Sequence, residues 1–328
     1  MRKNNLFALL MTVLFLSSSM LAGCTGQGKN QEEKGTGSYP EKPINMIIAF
    51  TAGGSSDAQA RIMQKYWNKY VKQPWLFSYK AGDGGAIGFA EIAKASKDGY
   101  TIGGINVPHI VLQPLQGAQY KPEEFAYIAQ VVTDPQVLVV KKGSKFKNVN
   151  EVVEFARANP GKLKVGIVGT FTGCHIALLD FQDKAGIQVD QVVYKGATDQ
   201  NVALLGGELD VMMGNYNDVM RGLDQMTILG IATPERYKSL PEVPTLTEQG
   251  YNVVSDIRRG FVAPKGIPEA NLTFLRKVFK KMAADPDYIK EMEEAGQPQE
   301  YLDGPAFEKY VMEQQKQAER LLMKFHLI

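Results

Sequence analysis

From residue 40 onward, short apolar runs alternate with stretches whose apolar residues recur at three- and four-residue steps. Ile44-Asn45-Met46-Ile47-Ile48-Ala49-Phe50 is nearly continuous in apolar residues, the pattern of a parallel strand covered on both faces. The loop Thr51 to Asp57 follows, and then a stripe of Ile62, Met63, Tyr66, Trp67 and Tyr70 predicts an amphipathic helix. Trp75 to Tyr79 reads as a second strand, Ile87 to Ala95 as a helix and Tyr100 to Ile105 as a third strand. Such alternation signals an α/β domain with a mostly parallel sheet.

The pattern then repeats in a second unit. Val137 to Val140 is an expected strand, Glu151 to Ala158 a helix that stops at Asn159-Pro160-Gly161, and Leu163 to Val168 a strand. A helix from Cys174 to Ala185, a strand at Gln191 to Tyr194, a helix at Gln200 to Leu205 and strands at Asp210 to Met213 and Ile228 to Ala232 complete it. Past Pro264 the pattern is helical. Phe307, Tyr310, Val311, Ala318, Leu321, Leu322 and Phe325 make one stripe that has to dock on a core.

The N-terminus follows a different logic. A basic start, Arg2-Lys3, precedes an apolar stretch from Leu6 to Leu21 and small residues, the layout of a secretory signal peptide. Leu21-Ala22-Gly23-Cys24 resembles the lipobox of bacterial lipoproteins. That resemblance implies cleavage after residue 23 and acyl chains on Cys24, hence an extracytoplasmic protein anchored to the membrane by lipid. Residues 24–39 are polar and Gly-rich, as expected of a flexible tether.

Composition narrows the function. The 328 residues suit two domains, with 44% hydrophobic and 22% charged residues. Arg2 and Lys3 supply both of the net positive charges, so the chain after residue 23 is neutral and offers no electrostatic reason for nucleic-acid binding. The two Cys (Cys24 and Cys174) and three His match no metal-ligand spacing. No cofactor motif is present: Gly82 to Gly88 has the wrong spacing for a dinucleotide turn, and there is no P-loop.

Two segments share a strand–Gly-rich turn–helix design, Ile47 to Ala60 and Val165 to Ala177. A helix start presents free N–H groups and partial positive charge, so it binds anions without a basic side chain. Ligands of open α/β sheets sit beyond the carboxyl ends of the strands. The alternative, that these glycines only make tight turns, stands equally for either loop alone. Cys174-His175 raises a hydrolase or transferase reading, but neighbours on a helix point in different directions. His109 is open to a cleft or a packing role. At Arg258-Arg259 the chain is expected to recross between lobes, and an arginine there either meets an anionic ligand or is solvated surface charge.

Taken together, several segments are identifiable. Phe50 to Asp57, Asp98-Gly99-Tyr100-Thr101-Ile102, Val165-Gly166 through Gly173-Cys174-His175, Tyr194-Lys195-Gly196, Leu204 to Asp210, Leu240 to Leu246 and Arg259 to Gly266 resemble the extracytoplasmic solute-binding receptors of tripartite tricarboxylate transporters, the Bug receptor family. The resemblance covers about residues 40 to 325. Thr51, Cys174 and Thr198-Asp199-Gln200 depart from the family pattern. It implies a type II periplasmic-binding-protein fold, two α/β lobes joined by two crossover strands, with residues 40–139 and 259–328 in one lobe and 140–258 in the other. It further implies a monomeric, non-enzymatic receptor that captures a small organic carboxylate for transmembrane permease subunits; a ligand-sensing receptor is the related alternative. The candidate ligand set is Phe50, Ala52, Gly53, Gly54, Asp57, Asn106, Thr170, Phe171, Thr172, Gly173, Cys174, Asn215 and Arg258.

Overall fold

The computed structural model describes residues 39–220, 222–324 and 327–328. The expected signal peptide, Cys24 and nearly all of the tether lie outside the described residues. Within them the elements run β1 (Ile44–Ile48), α1 (Ser55–Tyr70), β2 (Trp75–Tyr79), α2 (Ala86–Lys94), β3 (Thr101–Val107), α3 (His109–Leu112) and β4 (Phe125–Lys141). There follow α4 (Val149–Ala158), β5 (Lys164–Val168), α5 (Gly173–Ala185), β6 (Asp190–Tyr194), α6 (Ala197–Gly206), β7 (Val211–Asn215), α7 (Tyr216–Met220) and β8 (Met226–Ile231). The chain ends with β9 (Asp256–Pro264), α8 (Glu269–Ala283), α9 (Pro286–Glu294), β10 (Gln299–Asp303) and α10 (Gly304–Lys324).

The strands run in the order β2-β1-β3-β9-β4-β7-β5-β6, with β8 and β10 also paired to β4. β4 belongs to two half-sheets. Its residues up to Pro135 pair with β9, and from Gln136 onward they pair with β7 and β8. The first half-sheet has β1 parallel to β2 and β3; the second has β5 parallel to β6 and β7. The chain crosses inside β4 and returns at Ser255–Asp256. Gln136 N–H donates to the Ser255 carbonyl (3.1 Å), Ser255 N–H to Ala232 (2.9 Å) and Ala232 N–H back to Gln136 (2.8 Å).

Alternation along each strand explains how both faces are covered. In β1, Ile44, Met46 and Ile48 enter a core with α1, α8 and α9, while Ile47 faces α2, α3 and α10. In β4, Leu138 and Val140 pack on α4 and α5, and Val137 and Val139 on α6 and α7. The apolar runs of the inner strands β1, β5 and β7 are continuous because both of their faces are covered.

Three expectations change. The sheet is not mostly parallel, because the crossing strands β4 and β9 run against each other and against the neighbours they pair with. The strand expected at Val137 to Val140 is the end of a 17-residue strand. Its earlier part was obscured by Gln130, Asp134 and Gln136, which interrupt the apolar pattern yet are fully buried. The C-terminal region is not wholly helical. After Gly296-Gln297-Pro298 the chain forms β10, antiparallel to β4. Of the final apolar stripe, Phe307, Val311 and Leu322 are buried, and Phe325 lies outside the described residues.

α10 docks through Phe307, which is fully buried and meets Tyr127 edge-on with ring centroids 5.6 Å apart. A Cβ at Gly260 would strike this ring, so β9 carries glycine there. Replacing Phe307 with Ala is expected to cost about 3–5 kcal/mol of stability, measured by denaturant unfolding. A loss below about 0.5 kcal/mol, the range of an ordinary surface change, would mean that α10 does not anchor this half.

Candidate functional site

The two Gly-rich turns leave the carboxyl ends of β1 and β5 and face each other across the boundary between the half-sheets. They enclose a cavity of about 20 Å³, room for about one water molecule. The first half-sheet contributes Phe50, Thr51, Gly54, Ser55, Ser56, Asn106 and His109; the second contributes Val168, Cys174, Ala197, Asn215 and Asp218. Five candidates from the sequence therefore meet here: Phe50, Gly54, Asn106, Cys174 and Asn215.

The remaining candidates lie around the cavity or away from it. Asp57 is a brace. Its carboxylate accepts the Gly53 N–H (2.8 Å), the Arg61 Nε–H (2.9 Å) and the Tyr79 hydroxyl (2.7 Å). Burial would raise this carboxyl, but the Gly53, Tyr79 and Arg61 donors hold it below its ordinary value. Gly53 N–H is thereby engaged within the loop, and Ala52 is exposed, with its carbonyl 3.5 Å from the Thr198 hydroxyl.

In the second turn, Thr172 is the N-cap of α5. Its hydroxyl accepts from His175 N–H (3.4 Å) and donates to the Gly169 carbonyl (3.2 Å), so it shapes the turn. Phe171 holds a left-handed backbone, φ 51°, and its N–H donates to His175 Nδ1 at 3.1 Å. Gly173 faces Gln136 and Ile257. Thr170 is exposed, and its carbonyl accepts from Gln113 Nε2 of the first half-sheet at 2.9 Å.

Arg258 requires a correction. It pairs with Glu300 (3.1 Å) and Asp256 (3.6 Å) and covers the Tyr310 ring, away from the cavity. Successive residues of a strand point to opposite faces, so it is Arg259 that turns inward. Arg259 is 2% exposed, pairs with the fully buried Asp134 at 2.6 Å and donates to Ser55 Oγ at 3.0 Å. Burial pushes Asp134 up to about 6 against the pull of Arg259, and the charge of Asp218 adds to the rise.

Asp218 gave no signal in the sequence. It stands 163 residues from Ser55, whose N–H reaches Asp218 Oδ1 at 3.1 Å and whose hydroxyl also donates to that oxygen. Its other oxygen accepts from Asn215 Nδ2 at 2.7 Å. Gln297 also donates to the Ser55 carbonyl (2.9 Å). Ser55, the first residue of α1, thus bonds to α7, to β9 and to the segment before β10.

The hydrolase reading of Cys174 fails on physical grounds. The thiol is 1% exposed, with Asn215 Oδ1 at 3.6 Å and Gln136 Nε2 at 3.9 Å. Burial, with Asp218 and Asp134 adding to it, pushes the thiol up to about 12, so no thiolate is present at neutral pH. His175 bonds to its own turn rather than to the sulfur. Among the described residues, no group of His, Cys, Asp and Glu could hold a metal ion, and no helix is long and apolar enough to cross a membrane.

The two halves also touch backbone to backbone. A Cβ on Gly169 would lie 2.8 Å from the Gly84 Cα, and both glycines have positive φ (71° and 60°). Gly169→Ala is expected to force the halves apart and to raise the radius of gyration measured by small-angle scattering, with the melting transition still cooperative. An unchanged radius would show that this contact does not hold the cleft closed.

Comparison with known proteins agrees with this architecture. The model of the tripartite tricarboxylate transporter family receptors matches residues 59–327. The UPF0065 protein in the gbd 5' region of Cupriavidus necator is 28% identical over 292 residues, covering 88% of this chain and 89% of that protein. Protein BugT of Bordetella pertussis is 29% identical over 246 residues, covering 73% and 76%. The solved periplasmic binding protein BugD superposes with a TM-score of 0.81 at 27% identity, covering 87% of this chain and 98% of BugD. The matched family is one of transporter receptors, and BugD is a periplasmic binding protein. With its two α/β lobes joined by two crossover strands, the chain belongs to the tripartite tricarboxylate transporter receptor family, and its fold is the type II periplasmic-binding fold.

Proposed function

We propose that this protein captures a small organic acid in the cavity between the lobes and delivers it to the membrane permease subunits of a tripartite transporter. The observation that carries this reading is the convergence of two Gly-rich helix starts, α1 and α5, on one cavity from opposite half-sheets. Helix starts of this kind hold a carboxylate through backbone N–H groups. Residues 40–139 with 259–328 form one lobe of this reading and 140–258 the other, the hinge being the two short crossings that span residues 135–140 and 255–259. A cavity of about 20 Å³ is too small for an organic acid, so the lobes part to admit it and close around it. Receptor work of this kind needs one chain, and the monomer is the working form.

The ligand screen is a thermal-shift and calorimetric titration of protein stripped of bound small molecules. Organic acids of three to six carbons are expected to stabilise it, by about 2.7 kcal/mol at a hundredfold excess over Kd. Stabilisation by sugars or amines alone, with no carboxylate active, would refute acid capture.

Leu21-Ala22-Gly23-Cys24 supports the further proposal that the mature chain begins at Cys24 and is held at the membrane by acyl chains there. Intact-mass measurement of the membrane fraction is expected to show lipid on Cys24, and Cys24→Ser is expected to release the protein. An unmodified Cys24 in that fraction would rule the anchor out.

A further inference from the structure

The charge inside the cavity points in an unexpected direction for an acid receptor. Among the described residues that line it, none is Lys or Arg, and Asp218 is the acidic one. Arg259 lies behind the wall and is matched by Asp134 at 2.6 Å. His109 also lines the cavity at 2% exposure, and burial brings its imidazole down to about 3, so it is neutral. A second carboxylate would therefore find no cationic partner.

The two helix starts are not equivalent. At α1 the position of an incoming anion is already taken by Asp218, which accepts both the N–H and the hydroxyl of Ser55. The N-terminal positive charge of α1 is thereby matched from within the protein. α5 has no acidic residue in its first turn, and its Cys174 lies at the cavity wall. The cavity wall thus holds a helix start that attracts an anion and, joined to it through Asn215, a carboxylate. The Asp218 carboxylate offers about four acceptor positions, of which Ser55 and Asn215 fill three. His109, which also lines the cavity, has a buried Nδ1 with no partner, a polar atom that a bound ligand would complete.

We infer that Asp218 makes this cavity a site for acids that also carry a protonated amine. The α5 start takes the carboxylate, and the free acceptor position of Asp218 takes the ammonium in a charge-assisted hydrogen bond. A simple dicarboxylate instead sets its second charge against Asp218 in a water-poor space, where like charges repel strongly. This rests on the acid capture proposed above and narrows its substrate class.

The test pairs each linear dicarboxylate of four to six carbons with two amine-bearing counterparts. One is the ω-amino acid in which an ammonium replaces one carboxylate, such as 4-aminobutanoate for glutarate. The other is the 2-amino derivative of the same diacid. Calorimetric titration of the full chain is expected to show the tightest amine-bearing acid binding at least tenfold better than the tightest dicarboxylate. Asp218→Asn, nearly the same shape without the charge, is expected to erase or reverse that preference. Ser55→Ala removes a bond to Asp218 but keeps its charge, and is expected to retain the preference; circular dichroism confirms that both variants fold. Dicarboxylates binding as tightly as amine-bearing acids, or a preference indifferent to Asp218→Asn or lost in Ser55→Ala, would overturn the assignment while leaving acid capture intact. Binding of no acid from either series would overturn both.

Discussion

The buried pair of Arg259 and Asp134 is the contact on which the site depends. Its members face each other at 2.6 Å with almost no exposure, on β9 and on β4 at the point where β4 passes from one half-sheet to the other. Removing either partner would strand a charge in the interior, at about 3–5 kcal/mol. The pair also fixes its surroundings. Arg259 holds the Ser55 hydroxyl, and Asp134 accepts the Asn217 N–H at 3.1 Å, one residue before Asp218. The start of α1 and the start of α7 are thereby placed against each other.

Around this centre, most polar groups of the Gly-rich turns are engaged by the protein itself. Asp57 ties the first turn and Thr172 caps the second. Gln113 spans the lobes with donations to the Thr170 and Phe171 carbonyls at 2.9 and 3.1 Å. Hydrogen-bonded turns of this kind hold the helix starts at a set distance and angle, which is what preorganised recognition requires. The contacts between the two half-sheets are hydrogen bonds, glycine faces and an apolar patch in which Val168, Phe171 and Ala197 pack with Phe50 and Phe89.

Much of the fold was legible because apolar periodicity reports burial directly. The strand at Trp75 to Tyr79 and the end of the helix at Ala158 were readable to the residue. β4 was not, because Gln130, Asp134 and Gln136 occupy buried positions by virtue of partners far along the chain. The site divides in the same way. Phe50, Gly54, Asn106, Cys174 and Asn215 sit at or beside the carboxyl ends of strands, where a sequence pattern points. Thr172, Asp57 and Gly53 sit in the same turns but are turned to internal bonds, a distinction of side-chain direction that residue type does not carry.

The sequence by itself determined the alternation of strands and helices, the two Gly-rich helix starts and the neutrality of the chain after residue 23, since each is a local or summed property of the residues. Tertiary structure alone decided that Arg259 rather than Arg258 turns inward, because that depends on which face of β9 meets the core. It alone brought Asp218 to Ser55 across 163 residues of chain. The sign of the charge at the cavity wall follows from that contact, and no spacing in the sequence encodes it.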